Sequence, residues 1–438
     1  MAIVEAPPRT APHTPRPRGR DEAVDFLRAV CVVGVVLLHA IMVGVTVVGG
    51  VPVFANASEG SWWIVPISWA LQVMPLFFVI GGFAGFLSFR RSQGRGGTAS
   101  AFVAARVHRL LRPAVFAVAI VGAGLAALHL SGVPADIIAI AGFRYGQPLW
   151  FLAVFLLCQA LLPALATAHA RRPGLTIGLL VASATAVDGL RSQTGADGWG
   201  FLNLVFVWLA LQQLGFFLAD GSVDRLRART RAWGGATALV VLAGTFATGV
   251  YSPDLIANIN PPTAALLLVG VVHLSAVSLF RARIETFSRR PAVSAFTAFV
   301  NRRTMTIYLW HMPVLLGMAG VSALVSLSTG LALSEPGSLA WWLSRPLWLG
   351  TALALTALVA VAFTRIETQP APSPSGSRCR IAIAVSVGGG AVVLLLVAGT
   401  GVLTAAISAL GIGAALRLAR RSNQPARRER VADVVRVA

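Results

Sequence analysis

Two side chains in the first long apolar segment are spaced to act together. The stretch RAVCVVGVVLLH puts Arg28 and His39 eleven residues apart. On an α-helix eleven residues turn through about 1100°, roughly 20° beyond three full turns, so both project from one face some 16 Å apart along the axis. A neutral imidazole can take a proton from a hydroxyl as general base. A guanidinium can hold an anion or a polarised carbonyl oxygen. Asp25, three residues before Arg28, shares that face and could fix the guanidinium. The structural alternative is that Arg28 reaches the interface on its long stem and His39 bonds a neighbouring helix.

Two further segments carry similar potential. In ARVHRLLRP, Arg106, Arg109 and Arg112 recur every third residue and would form one ridge on a helix. Planar guanidiniums suit phosphate oxygens because each donates two parallel hydrogen bonds, although basic residues beside an apolar run also serve as a plain topology signal. In NRRTMTIYLWHMP, Tyr308 and His311 lie about one turn apart, roughly 10 Å in from the basic end of their run. Tyr and Trp are common in an interfacial belt. An apolar residue would serve a belt as well as His311 does.

The elements that must position these groups are membrane helices. Of 438 residues 56% are hydrophobic and 12% charged, about half the charge a soluble domain needs to cover its surface. Apolar runs long enough to cross a bilayer recur near 24–50, 62–89, 113–131, 148–168, 175–190, 200–219, 233–250, 262–280, 304–330 and 344–364. The segments between them alternate in charge: 90–112, 169–174, 220–232, 281–303 and 365–380 hold 6, 2, 4, 6 and 3 Arg, while the opposite loops hold only Arg144 and Arg191. That asymmetry predicts ten crossings with the N-terminus in the cytoplasm and a multi-pass protein of the plasma (inner) membrane. Residues 381–416 are one apolar run, too long for a single span and compatible with a hairpin turning near Gly399–Gly401. The expected architecture is an all-α polytopic bundle of twelve crossings, with eleven as the alternative. Its expected parts are a disordered basic tail at 1–23, a membrane domain at 24–365, a linker and hairpin at 366–416, and a basic tail at 417–438. Ala29–Val48 exceeds the usual length of a signal-peptide apolar core, so it reads as a retained span.

The net charge of +20 is carried wholly by Arg, with no Lys. Its place in alternate loops fits positive-inside topology and gives no basic face for nucleic acid. Cys31, Cys158 and Cys379 imply no disulfide framework, and no metal site is expected.

These segments together resemble the acyltransferase 3 family of integral membrane acyltransferases. Asp25, Arg28 and His39 match its first-span pattern of an Arg and a His separated by ten residues after a leading Asp. FFVIGGF resembles its Phe-Phe-x-x-Ser-Gly-Phe element, with Gly82 and Phe83 matching and Gly81 in place of the serine. Arg106 and Arg109 match an Arg-x-x-Arg element, PLWFLAVFLL its Trp-Phe-Leu span, and IYLWHMP its Tyr-Leu-x-His-x-Pro segment with Tyr308 and His311. NINPPTAALLL looks like the Asn-x-Pro-Pro entry of one subgroup.

The resemblance implies transfer of an acyl group, usually acetyl, from cytoplasmic acyl-CoA to a hydroxyl of a glycan, lipid-linked sugar or other small acceptor. It makes acyl-CoA a co-substrate, with no bound cofactor. The implied site is catalytic His39, Arg28 and His311, donor-binding Arg106 and Arg109, and supporting Asp25, Tyr308, Gly82 and Phe83, with His311 or Arg28 as a donor to the oxyanion. Two other classes stay open. A proton-coupled secondary transporter could use His39 and His311 as a relay, though no internal inverted repeat is evident. A haem carrier could use His39, His129, His273 and His311, yet counting along their helices sets them at different depths.

Overall fold

The computed structural model describes residues 21–420. Residues 1–20 and 421–438, which hold most of the two expected tails, lie outside the described residues. The Asp21 carboxylate accepts from the Val24 amide at 3.0 Å and opens α1 (Glu22–Met42). The apolar sequence continues, yet the helix stops. β1 (Val43–Val48) and β2 (Val51–Asn56) form an antiparallel hairpin in which Val48 pairs with Val51. Its two turn glycines, Gly49 and Gly50, both have positive φ (57° and 80°), as a type I′ turn requires. Alternating valines favour the extended chain. The span expected over 24–50 therefore ends at Met42, and His39 falls in its last turn rather than deep in mid-helix.

The second expected span is broken. α2 (Ile64–Leu71) gives way at Gln72–Val73 to α3 (Met74–Gly94), which starts with Pro75 in its first turn. Next come α4 (Ala99–Leu130), capped by Thr98, then α5 (Ala135–Gly146), α6 (Trp150–Arg171), α7 (Pro173–Thr194) and α8 (Asn203–Ala219). They are followed by α9 (Ala228–Ala247), α10 (Ala265–Ser288), α11 (Pro291–Arg302), α12 (Thr304–Thr329) and α13 (Leu339–Thr368). The chain closes with α14 (Arg378–Val397) and α15 (Val402–Ala419), a hairpin turning at Gly399, whose φ is 75°. The fold is 78% helical, an all-α polytopic bundle.

Among the described residues eleven helical segments are long and apolar enough to cross a membrane. Residues 381–416 supply two of them, as the twelve-crossing expectation has it, so the number is eleven for a different reason than a single C-terminal span. Outside that set is α9, the span expected over 233–250, because Arg229, Arg231 and paired glycines occupy its first half. It packs along α10. Asp224, before α9, meets Arg281 at the end of α10 at 3.3 Å, and Arg231 donates to the Ser278 carbonyl at 2.7 Å. Arg281 also pairs with Asp21 at the start of α1, and Arg289 with Glu22 at 2.8 Å. These contacts gather the Arg-rich ends at one face of the bundle.

Two features fix the walls around the centre. α3 crosses α8 with backbones touching: a Cβ on Gly82 would stand 2.0 Å from the Gln212 carbonyl oxygen, and one on Gly215 would stand 2.0 Å from that of Val79. Small residues permit such close helix approach. At the opposite face, the segment 251–264 is held by hydrogen bonds within itself and to Asp188 of α7. Tyr251 donates to Asp188 at 2.7 Å, Asn203 holds the other carboxylate oxygen at 2.8 Å, and Thr263 donates to Asn258 at 2.9 Å. Burial and the Asp188 carboxylate push the Tyr251 phenol above its ordinary value. Gln72, at the break before α3, donates to the Leu255 carbonyl at 2.7 Å and ties this segment to the helices.

Candidate active site

A cavity of about 310 Å³ runs inside the bundle from the basic face toward the opposite one. Arg106, Arg109 and Ser88 line its basic end. Its far end is lined by His39, Met42, Gln72, Ile256 and Ile259. Between them α1 contributes Arg28, Val32, Val35 and Val36, and an aromatic wall of Phe77, Phe151 and Phe155 faces α1 across the space. Phe151 and Phe155 stack with centroids 5.3 Å apart, and Phe77 meets both edge-on. Arg28 and His39 both line this one cavity.

His39 is held by its own helix. Its Nδ1 lies 2.9 Å from the Val35 carbonyl oxygen. A carbonyl only accepts, so Nδ1 carries the proton of the neutral ring and Nε2 keeps a lone pair. The ring is part-exposed on the cavity side.

His311 does not line the cavity. It is fully buried behind His39, with ring centroids 5.0 Å apart. Its Nδ1 sits 2.5 Å from the Tyr308 carbonyl, so Nδ1–H donates there, and Nε2 has no partner among the described residues. In this tautomer no N–H of His311 is left to donate to an oxyanion. Tyr308 is in the cavity wall, where its hydroxyl donates to the Pro148 carbonyl at 2.7 Å. Three residues turn a helix by about 300°, so the two side chains point roughly 60° apart and only one faces the space. The depths counted from helix starts, which separated His39 from His311, are corrected by this ring contact: α1 and α12 begin at different levels. Rings in direct contact leave no room between them for a haem plane.

Arg28 pairs with Asp25 at 3.2 Å. The Asp25 backbone carbonyl accepts from Asn301 at 2.8 Å, which joins α1 to α11. The three ridge arginines part company. Arg106 donates to the Ser88 hydroxyl at 3.0 Å and lies over the Phe102 ring at 4.8 Å. Arg112 donates to the carbonyls of Gln369 and Pro370. Arg109 is exposed, borders two cavities and makes no hydrogen bond within the described residues.

Gly82 and Phe83 lie outside the cavity. Gly82 serves the α3–α8 crossing, and Phe83 is buried with Arg281 stacked over its ring at 5.5 Å. Gly81 does reach the cavity, where an added Cβ would meet the Phe155 ring at 3.3 Å. Sequence reasoning passed over Gln72 and Gln159, both lining the cavity and only 2% and 3% exposed. Gln159 stands among apolar neighbours in α6, and its polarity at that depth was the available signal. A family model described as an acyltransferase domain matches residues 21–365. No curated protein and no solved structure matches the chain.

Proposed function

Because this chain belongs to the acyltransferase 3 family and is a membrane acyltransferase, we propose that it moves an acyl group, usually acetyl, from cytoplasmic acyl-CoA to a hydroxyl of a glycan, lipid-linked sugar or other small acceptor. The observation that carries this reading is one continuous cavity with an uncommitted guanidinium, Arg109, at one end and the free Nε2 side of His39 at the other. With the basic face toward the cytoplasm, phosphates of the donor meet Arg106 and Arg109. The thioester arm then passes Arg28 and the valines of α1 toward His39, about 16 Å further along the helix.

At His39 the acceptor hydroxyl gives its proton to Nε2 as its oxygen bonds to the thioester carbon. The tetrahedral intermediate then collapses, the carbon–sulfur bond breaks, and the leaving thiolate takes the proton back from Nε2. The products are the O-acyl ester and free CoA thiol. Three helical turns put Arg28 too far from this carbon to hold its oxyanion, so Arg28 acts on the donor's arm instead. His311 packs behind His39 and limits its ring to one orientation. Asp25, Tyr308, Gly82 and Phe83 hold the helices that carry the site.

The experiment is to incubate purified protein with isotopically labelled acetyl-CoA and a cell-envelope extract, then search by mass spectrometry for labelled esters. Label in a hydroxyl-bearing product that depends on the protein supports the reading. Release of no acyl group from acetyl-CoA, with any acceptor fraction, counts against it.

A further inference from the structure

A second cavity at the basic face has a wall that lies beyond the family-matched region. Its volume is about 610 Å³, and it shares Ser88, Arg106 and Arg109 with the first cavity, so the two join there. Facing those arginines are Glu367 at the end of α13 and Gln369, Ala371 and Pro374 of the strap joining α13 to α14. The family match stops at residue 365.

The strap is fastened at three points. Glu367 accepts from the amides of Met305 at 3.1 Å and Thr306 at 2.9 Å, and from the Thr306 hydroxyl at 2.7 Å, satisfying first-turn amides of α12 that have no acceptor within the helix. Arg112 donates to the Gln369 carbonyl at 2.9 Å and the Pro370 carbonyl at 3.2 Å. At the far end Pro374 and Arg420 form an antiparallel bridge, and the Ser375 amide donates to the Ala419 carbonyl at 2.9 Å. Pro370, Pro372 and Pro374 stiffen the chain and remove amide donors. The cavity thus has cations, Arg106, Arg109, Arg112 and Arg302, against a proline-stiffened strap without charged side chains, and the one carboxylate in its lining, Glu367 of α13, is turned to the amides that begin α12. That division suits a ligand with phosphates on one edge and a planar, hydrogen-bonding base on the other.

We infer that residues 366–375 form the second half of the donor site, holding the nucleotide end of the acyl donor against Arg106 and Arg109, with Arg112 as the residue that positions the strap. The inference rests on the acyl-CoA reading above. Two full-length variants test it: Arg112→Gln, and exchange of Gln369–Pro374 for Gly and Ser at constant length. Each is assayed with acetyl-CoA and with acetyl-pantetheine, which keeps the thioester arm and lacks the nucleotide. In both variants KM for acetyl-CoA should rise roughly 10-fold, the loss of one or two hydrogen bonds to the nucleotide. KM for acetyl-pantetheine and kcat should stay near wild type, while the thermal midpoint falls by a few degrees with the lost strap contacts and prolines. An unchanged KM for acetyl-CoA, or an equal rise for both donors, overturns the strap's role and leaves the donor reading standing. Wild-type protein that uses neither donor overturns the donor reading, and the inference with it.

Discussion

Arg109→Ala offers the cleanest separation of donor binding from folding. Arg106 is tied to Ser88 and Phe102 and Arg112 to the strap, so truncating either disturbs protein contacts as well as any ligand. Arg109 makes no hydrogen bond within the described residues and borders both cavities, so its truncation removes little but its contact with a bound anion. A charge-assisted hydrogen bond contributes about 1.5–3 kcal/mol. Arg109 is exposed, and water and salt screen it, so the low end applies: roughly 1.5 kcal/mol, or about 10-fold in affinity. Isothermal titration of CoA into protein in detergent should show that loss, growing at low salt. Arg229→Ala, an exposed arginine of α9 away from both cavities, should bind as wild type does. Affinity for CoA within twofold of wild type in Arg109→Ala would refute the reasoning and return the ridge to a topology signal.

Three other outcomes follow from the same geometry. Gly82→Ala should lower the thermal midpoint and the yield of folded protein, because a methyl 2.0 Å from a backbone oxygen forces α3 from α8 at a cost of about 1–3 kcal/mol or more; a midpoint equal to wild type would show that the crossing is looser than described. Gly81→Ser, with a 3.3 Å approach that the Phe155 ring can relieve, should fold normally and lose activity with butyryl-CoA more than with acetyl-CoA; equal losses would remove Gly81 from acyl selection. Cysteine at Glu59 should react with an impermeant thiol reagent added to intact cells and cysteine at Ala228 should not, after native cysteines are replaced; the reverse pattern would invert the proposed orientation.

Much of this was legible in the sequence because helical periodicity is a local property. Arg28 and His39 share a face by arithmetic alone, and the C-terminal run is too long to be one span. The errors have local causes too. Valine counts as apolar in a hydropathy window, so the window ran through Val43–Val48 although alternating β-branched residues around Gly49–Gly50 specify a hairpin. Depth counted from helix starts separated His39 from His311, since sequence does not say where each helix begins relative to its neighbours. The strap was unreadable for another reason: Arg112 and Gln369 are 257 residues apart, and no local pattern links them.

Acyl transfer by this site depends most on His39 as general base, and one sample tests it. His39 lines a cavity instead of filling the core, so His39→Ala should fold, keep its thermal midpoint within a few degrees, and bind CoA as wild type does. Acyl transfer per folded molecule should fall roughly 10²–10⁴-fold, the usual contribution of positioned acid–base catalysis. Turnover near wild type in well-folded, CoA-binding His39→Ala protein would contradict the central claim.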